Sequence, residues 1–184
     1  GWTHTFLMRD PAKAILSMYK ASTNTELTGW DHFDESEAGF EQMYELYTAL
    51  KAAGKRVVVV DCEDLLEEPE VVLRKYCEAI GFDFKPGMSS WQPGPQPDWQ
   101  AWQGWHDDAL KSNGLHKPSG RKQDDLPTVV QELADRVRPK YEEMFAHRIR
   151  ASAGGEQDFD VDSDGPDTPT GSDYGQLMVT SDSD

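Results

Sequence analysis

Cysteine is scarce in this sequence, which carries only Cys62 and Cys77 among 184 residues. One follows a predicted strand and the other lies inside a predicted helix, a placement typical of buried thiols and not of a disulfide framework. Two such thiols leave the cellular compartment open. No run of about eighteen apolar residues and no signal-like segment occurs, so we expect no membrane span and no targeting signal within this chain.

The residue patterns of several common active sites are also missing. The five histidines lie far apart, show no ligand spacing and have no adjacent pair of cysteines, so no metal site is predicted. No Gly-x-Ser-x-Gly motif occurs, which argues against a hydrolase with a Ser-His-Asp triad on a nucleophile elbow. No Gly-x-x-x-x-Gly-Lys motif occurs either, so the sequence shows no Walker loop of a nucleotide kinase.

Basic residues are few: Lys and Arg number 18 against 34 Asp and Glu, and the net charge is −16. Part of this imbalance is local, because residues 151–184 hold nine acids and no Lys or Arg, which leaves a net charge of −7 for residues 1–150. A nucleic-acid partner requires clustered cations, so none is expected. A single bound nucleotide needs only a few local cations and is compatible with this charge.

Composition divides the chain into an α/β domain over residues 1–150 and an acidic tail over residues 151–184. The tail is dense in Gly, Ser, Asp and Pro and has no hydrophobic period, which predicts disorder and leaves room for a protein partner. The chain begins inside the approach to a predicted strand and without an initiator Met. We therefore expect it to be the carboxyl-terminal part of a longer protein.

The most informative stretch is residues 3–19. Its first six residues form a β-branched and apolar run that predicts a buried strand. Asp10 and Pro11 suit the N-cap and the first position of a helix, because a proline there loses no hydrogen bond. Arg9 therefore stands at the carboxyl end of a strand, where open α/β sheets bind ligands and a helix N-terminus favours an anion. Ser17, two turns into the helix, can add a hydroxyl group to the same anion.

The rest of residues 1–150 alternates between helix and strand signals, which predicts an α/β fold. Asp34 and Glu37 suggest a capping box at the start of the second helix, and Pro139 is expected to kink or divide the last one. Helices are predicted over residues 35–53, 69–80 and about 125–150, and a strand buried on both faces over residues 57–61.

The order of strand, Arg9-Asp10-Pro11 and helix, with Ser17 eight residues after the arginine, resembles the 3′-phosphate-binding segment of the P-loop sulfotransferases. These enzymes use 3′-phosphoadenosine 5′-phosphosulfate as sulfuryl donor. The resemblance implies that Arg9 reads a phosphate group bidentately and that Ser17 supplies a second, neutral donor. The alternative is that Arg9 pairs with a neighbouring carboxylate and that Ser17 is an ordinary helix residue.

A second resemblance to the same family lies in residues 57–84. The family has a hydrophobic strand, a Glu-Asp-Leu turn, an acidic-Pro step and a helix that ends in hydrophobic-Gly-hydrophobic. Here these features match Val57–Val60, Glu63-Asp64-Leu65, Glu68-Pro69 and Ile80-Gly81-Phe82. In the family this segment is mainly architectural, so Glu63 and Asp64 are interpreted as turn and capping residues and not as catalytic carboxylates.

Two later segments leave alternatives open. The basic loop around Gly120-Arg121-Lys122 resembles, more loosely, the family's late loop that closes the 3′-phosphate site. Arg121 and Lys122 are thus further candidates for donor binding, against the alternative of solvated surface charges. Residues 85–105 are rich in Pro, Gly and Trp, and form either a lid or acceptor pocket or an ordered loop packed on the domain.

The resemblance implies a three-layer, P-loop-type parallel sheet flanked by helices, incomplete at its N-terminus. The family's phosphosulfate loop and its catalytic Lys come earlier in the chain, and no Lys-Ser-Gly-Thr-like loop occurs here. No catalytic base is assigned, because His4 lies in a predicted strand and His106 follows the Trp-rich segment.

The implied activity is sulfuryl transfer from 3′-phosphoadenosine 5′-phosphosulfate, a co-substrate, to a hydroxyl or amine acceptor, with no metal. Two other functions stay open at this point. One is a non-catalytic relative in which the α/β domain is a scaffold and the acidic tail is the working surface. The other is a P-loop nucleotide kinase, whose lid arginines are not visible in the sequence.

Overall fold

The computed structural model describes residues 2–117 and 125–151. Two parallel strands, seven α-helices and two 3₁₀ helices make up these ranges. The strands are β1 (His4–Met8) and β2 (Val57–Asp61), and the α-helices are α1 (Pro11–Ser22), α2 (Thr25–Thr28), α3 (Phe40–Ala52), α4 (Cys62–Glu67), α5 (Pro69–Ile80), α6 (Asp107–Lys111) and α7 (Thr128–Ala146). The 3₁₀ helices span Glu35–Ala38 and Pro97–Trp102.

The small sheet is parallel, with His4 opposite Val57 and Met8 opposite Asp61. Beyond α7 the chain returns to the other side of β2, where the Ile149 N–H donates to the Val59 carbonyl at 2.9 Å. β2 therefore has neighbours on both edges, as its continuous valine run favours. Within the described residues, β1 pairs with β2 alone.

Helices pack on both faces of this sheet. On one face, Phe6, Met8 and Val59 form a core cluster with Tyr47 of α3 and with two residues of α7, Tyr141 and Met144. On the other face the β2 residues Val58 and Val60 pack with residues of α5 and with Ile149. The fold is therefore α/β, with the sheet between helical layers.

β1 is covered less completely than β2. Phe6 and Met8 are buried, whereas Thr5 and Leu7, which point to the opposite face, are exposed. Leu7 is opposite Val60 in the register and leaves 64% of its surface in solvent. Both one edge and one face of β1 are thus open in the described part of the chain.

A third cluster joins α1, α3 and α7 beside the sheet. Ile15 of α1 and Phe40 of α3 are buried against the first half of α7. There they pack on Val130, Leu133 and Val137. Residues spaced at three and four positions along α7 thus build one apolar face. α7 touches the core of the sheet with its second half and the α1–α3 pair with its first.

Two predicted helices differ from the structure. The helix predicted over residues 35–53 is interrupted at Gly39, whose φ of 72° is left-handed and cannot continue an α-helix. Asp34 caps the short 3₁₀ helix by accepting from the Ser36 N–H at 2.8 Å, not as part of a capping box. Pro139 does not divide the last helix, since α7 continues through it over 19 residues with buried side chains on both sides of the proline.

Two sequence-based predictions fall beyond the described residues. The basic loop with Arg121 and Lys122 is one, and the acidic tail, apart from Ala151, is the other. The Trp-rich segment, residues 85–105, is described and contains the second 3₁₀ helix, and α6 follows it. The segment packs on α2, where a Cβ at Gly104 would lie 2.5 Å from the Leu27 Cγ, and just beyond α2 the Trp105 ring lies 5.5 Å from the Trp30 ring, edge to face.

Candidate functional site

The β1–α1 junction has the local structure that the sequence predicts. Asp10 is the N-cap of α1, and its Oδ1 accepts from the Lys13 N–H at 3.2 Å. Pro11 occupies the first helical position. Because β1 ends at Met8, these residues place Arg9 at the carboxyl edge of the sheet.

Arg9 is held close to a carboxylate without a hydrogen bond to it. Its side chain is 29% exposed, and its Nε lies 4.0 Å from the Glu63 Oε1. The Nε atom itself is buried and has no hydrogen-bond partner among the described residues. A buried guanidinium N–H without an acceptor is costly, so an acceptor that reached this atom would stabilise the junction.

Glu63 also binds Lys13, a contact that the sequence did not predict. The Lys13 Nζ donates to the Glu63 Oε2 at 2.6 Å, across 50 positions of the chain. The Glu63 carboxylate thus lies between two cations, one from each side of the β1–α1 junction. Only the adjacency of the two strand ends could have predicted this, because no local motif links Lys13 to Glu63.

The second strand–helix junction is fixed by a buried aspartate. Asp61 is 1% exposed, and its Oδ1 accepts from the backbone N–H groups of Glu63 and Asp64 at 2.9 and 3.2 Å. Its Oδ2 accepts from the Tyr141 hydroxyl at 2.9 Å. Burial, together with the Asp61 charge, raises the pKa of Tyr141 far above its ordinary value, so the phenol stays a donor. Asp61 therefore orients the turn that carries Glu63.

α7 holds the first junction as well. The Arg138 guanidinium donates to the Asp10 Oδ2 at 2.6 Å. Burial acts to raise the pKa of Asp10, but the hydrogen bonds from Arg138 and from the Lys13 N–H outweigh it, so the pKa lies below its usual value. Asp10 stays ionised at neutral pH while it caps α1.

Asp64 pairs with a cation from the end of the chain. The Arg148 Nε donates to the Asp64 Oδ2 at 2.7 Å, and the Arg148 guanidinium lies 3.4 Å above the Phe145 ring. The side chain of Asp64 thus joins α4 to the segment that follows α7. This is consistent with an architectural role for Asp64.

Ser17 lies on the exposed side of α1, one turn beyond Lys13 and so on the same helix face. The histidines considered as bases lie elsewhere. His4 is half-buried in β1, and the His106 ring lies 4.7 Å from the Trp99 ring.

Cys62 and Cys77 are both free thiols. Cys62 follows directly after β2 and is half-buried, and burial raises the pKa of its thiol. Cys77 is buried in α5. The raised pKa keeps the Cys62 thiol protonated at neutral pH.

Within residues 2–117 and 125–151, no group of three or more His, Cys, Asp or Glu side chains could hold a metal ion. No helix in them is both long and apolar enough to cross a membrane.

The model of a sulfotransferase domain family matches residues 1–148 of the chain. The chain belongs to this sulfotransferase family. The match spans both strand–helix junctions, so Arg9, Lys13, Ser17 and Glu63 all lie within the sulfotransferase domain.

Two curated relatives of this sulfotransferase domain come from Arabidopsis thaliana. They are named branched-chain-amino-acid aminotransferase-like protein 2 and protein 1 and are 25% and 26% identical to the chain over 153 residues. The aligned region covers 82% of this chain and 25% of each relative. The chain thus spans about a quarter of the length of these relatives. No solved structure matches it.

Proposed function

We propose that the chain is part of a sulfotransferase that uses 3′-phosphoadenosine 5′-phosphosulfate as donor and a hydroxyl or amine group as acceptor. The observation that carries this proposal is Arg9, at the end of β1, whose buried Nε lacks a hydrogen-bond partner. The family match supports the reaction class. The donor is inferred from the chemistry of this junction.

The residues at the junction fit a phosphate group. A guanidinium presents two parallel N–H donors to phosphate oxygens, and Arg9 has at least one N–H to offer. The Ser17 hydroxyl, on the exposed side of α1, supplies a neutral donor. Lys13 adds a second positive charge beside Arg9. In the proposed complex Arg9 and Ser17 bind the 3′-phosphate, which distinguishes this donor from nucleotides that lack it.

Sulfuryl transfer forms one bond and breaks one. The acceptor oxygen or nitrogen attacks the sulfur, the bond between the sulfur and the 5′-phosphate oxygen breaks, and the acceptor proton passes to a base. The residues of this chain hold the far end of the donor and so orient the sulfur for in-line attack. We assign the leaving phosphate and the base to residues outside the motifs found here.

The proposal includes a larger fold than the two strands described. We propose a three-layer, P-loop-type sheet to which a strand carrying the phosphosulfate loop would add at the open edge of β1. It also retains the division into an α/β domain over residues 1–150 and an acidic segment over residues 151–184. Arg121 and Lys122 remain proposed donor contacts.

Calorimetric titration with 3′-phosphoadenosine 5′-phosphate tests the donor site in the full-length protein. Replacing Arg9 with Ala (Arg9→Ala) should weaken binding by about tenfold or more, because a charge-assisted hydrogen bond contributes about 1.5–3 kcal/mol. Arg136→Ala is the matched control, since Arg136 pairs with Glu35 on the exposed side of α7. 5′-AMP should bind weakly to both the wild type and the Arg9 variant.

Two outcomes would contradict the proposal. If the full-length protein does not bind the bisphosphate, the non-catalytic scaffold becomes the better explanation. If it binds the bisphosphate and 5′-AMP equally well, and Arg9→Ala changes neither affinity, the nucleotide lies elsewhere.

A further inference from the structure

The Trp-rich segment and the residues that follow it, up to Lys117, form two arms that run side by side. The Trp91 N–H donates to the Asn113 carbonyl at 3.1 Å, and the Gly94 N–H donates to the Leu110 carbonyl at 2.9 Å. The arms approach so closely that a Cβ at Gly114 would lie 2.5 Å from the Ser89 carbonyl oxygen. These contacts hold the segment in a defined shape, with the second 3₁₀ helix and α6 between the arms.

A pocket of about 250 Å³ lies between the arms. Its lining is mostly apolar and comes from two tryptophans, two glutamines and three small or aliphatic residues: Trp91, Trp99, Gln92, Gln96, Gly94, Ala109 and Leu110. The Trp91 Nε1 donates to the Ala109 carbonyl at 3.2 Å, which fixes the orientation of that ring. Ligand pockets are commonly of this kind, apolar with a few polar groups.

The volume and the lining residues of the pocket indicate the size and the charge of a ligand that would fit it. Drug-sized ligands occupy pockets of about 300–1,000 Å³, so this pocket suits a single ring. None of the described residues that line it is charged, which favours a neutral ligand. Trp91 and Trp99 bring apolar rings to the lining, and Gln92 and Gln96 are residues whose amides can donate to and accept from hydroxyl groups.

The position of the segment relates it to the donor site. Lys117, at the end of the second arm, pairs with Glu67 of α4 at 3.0 Å. α4 is the helix whose first turn carries Glu63, the partner of Lys13. The segment is therefore anchored on an element that also forms the anion site.

We infer that this pocket binds a neutral, hydroxylated six-membered ring, such as one unit of a glycoside, and that this ring belongs to the acceptor. Its role as acceptor rests on the proposed function, whereas ring binding does not require the donor.

Tryptophan fluorescence of the full-length protein, titrated with methyl β-D-glucopyranoside in the absence of nucleotide, tests ring binding. Trp99→Ala should weaken binding about tenfold, as expected for the loss of one aromatic contact. Trp102→Ala is the matched control, because Trp102 lies in the same 3₁₀ helix, is 52% exposed and does not line the pocket. Gln96→Ala should also weaken binding, and circular dichroism checks that each variant is folded.

Three results would overturn the inference. In the first, the folded wild type does not bind the glycoside. In the second, the Trp99 and Trp102 variants bind it with equal affinity. In the third, the protein binds phenol more tightly than the glycoside. The titration with 3′-phosphoadenosine 5′-phosphate is independent of this one. A protein that binds the bisphosphate but not the glycoside would refute the acceptor pocket alone, and the reverse result would refute the donor site alone.

Discussion

Glu63 is the residue on which the two cations of the β1–α1 junction converge. Its carboxylate binds Lys13 directly and lies 4.0 Å from the Arg9 Nε. In the proposed complex a phosphate group would approach the same two cations. In that complex Glu63 would compete with the phosphate for them, and its charge would lower the affinity of the site for anions.

The first prediction concerns this competition. Glu63→Gln should bind 3′-phosphoadenosine 5′-phosphate about fivefold more tightly, because it removes a like charge worth about 1 kcal/mol near a partly exposed site. Calorimetry measures the change. Glu67→Gln serves as the control, since Glu67 is in the same helix but pairs with Lys117. An unchanged or weaker affinity for the Glu63 variant would mean that this carboxylate positions Arg9 and does not compete.

At the scale of single residues, the sequence predicted Arg9 and Ser17 as candidates and missed Lys13 and Glu63. The first pair lies within one recognisable stretch. The second pair meets across 50 positions, and only the packing of two strand ends brings it together. The alternative from the sequence, in which Arg9 pairs with a neighbouring carboxylate, matches the structure, where that carboxylate belongs to Glu63.

Helix α7 connects the two strand–helix junctions. Arg138 binds the N-cap of α1, and the Tyr141 hydroxyl binds the buried Asp61 at the start of α4. These two α7 residues lie three positions apart, on neighbouring points of one helix face. A single element thus sets the positions of both Arg9 and Glu63.

The second prediction concerns the pH dependence of this connection. The pKa of Asp10 is lowered in the folded state, so its charge stabilises the protein above about pH 3.9, the ordinary value. This stabilisation is lost as the pH falls through the lower folded pKa. Asp10→Asn keeps a good N-cap but removes the charge, and should reduce the free energy of unfolding by about 1 kcal/mol at pH 7.

Urea unfolding at pH 7 and at pH 3 measures this difference, which should shrink at the lower pH. Asp135→Asn is the control, because Asp135 is exposed on α7 and accepts only from Gln131 of the same helix. A difference that is equal at both pH values would show that the Asp10 charge does not contribute through Arg138.

At the scale of elements, local signals predicted both strands and the helix α5 well. The signals for these elements are strong because each is local. A continuous valine run marks β2, and α5 begins at Pro69 and is capped by Gly81. The structure differs from the predictions where contacts between distant elements determine the local conformation. Gly39 sits within an otherwise helical pattern, and Pro139 is tolerated because the helix around it is buried.

At the scale of the whole molecule, the main feature is the incomplete cover of β1. In the described ranges this strand has one open edge and one open face. Unpaired backbone groups on an edge strand are a template for pairing with another chain. β1 carries no charged side chain along its five residues. Its open side is therefore the best site for association with a further strand.

The third prediction is that the chain of residues 1–184 self-associates through β1. Sedimentation velocity in about 0.5 M salt, which screens the net negative charge, should show concentration-dependent association. Leu7→Lys should reduce it by placing a charge on the open face. Leu46→Lys is the control, because Leu46 is also an exposed leucine but lies on α3. Equal association of the two variants would exclude β1 as the contact.

The contacts of α7 also bear on the order in which the molecule folds. The hydrogen bond between Arg138 and Asp10 joins residues 128 positions apart, and that between Tyr141 and Asp61 joins residues 80 positions apart. Contacts between such distant positions form slowly, because closing a long loop costs conformational entropy before the contact contributes any stabilising energy. We therefore expect the proposed anion site to be assembled in a late step of folding, so that nucleotide binding recovers after the helical signal.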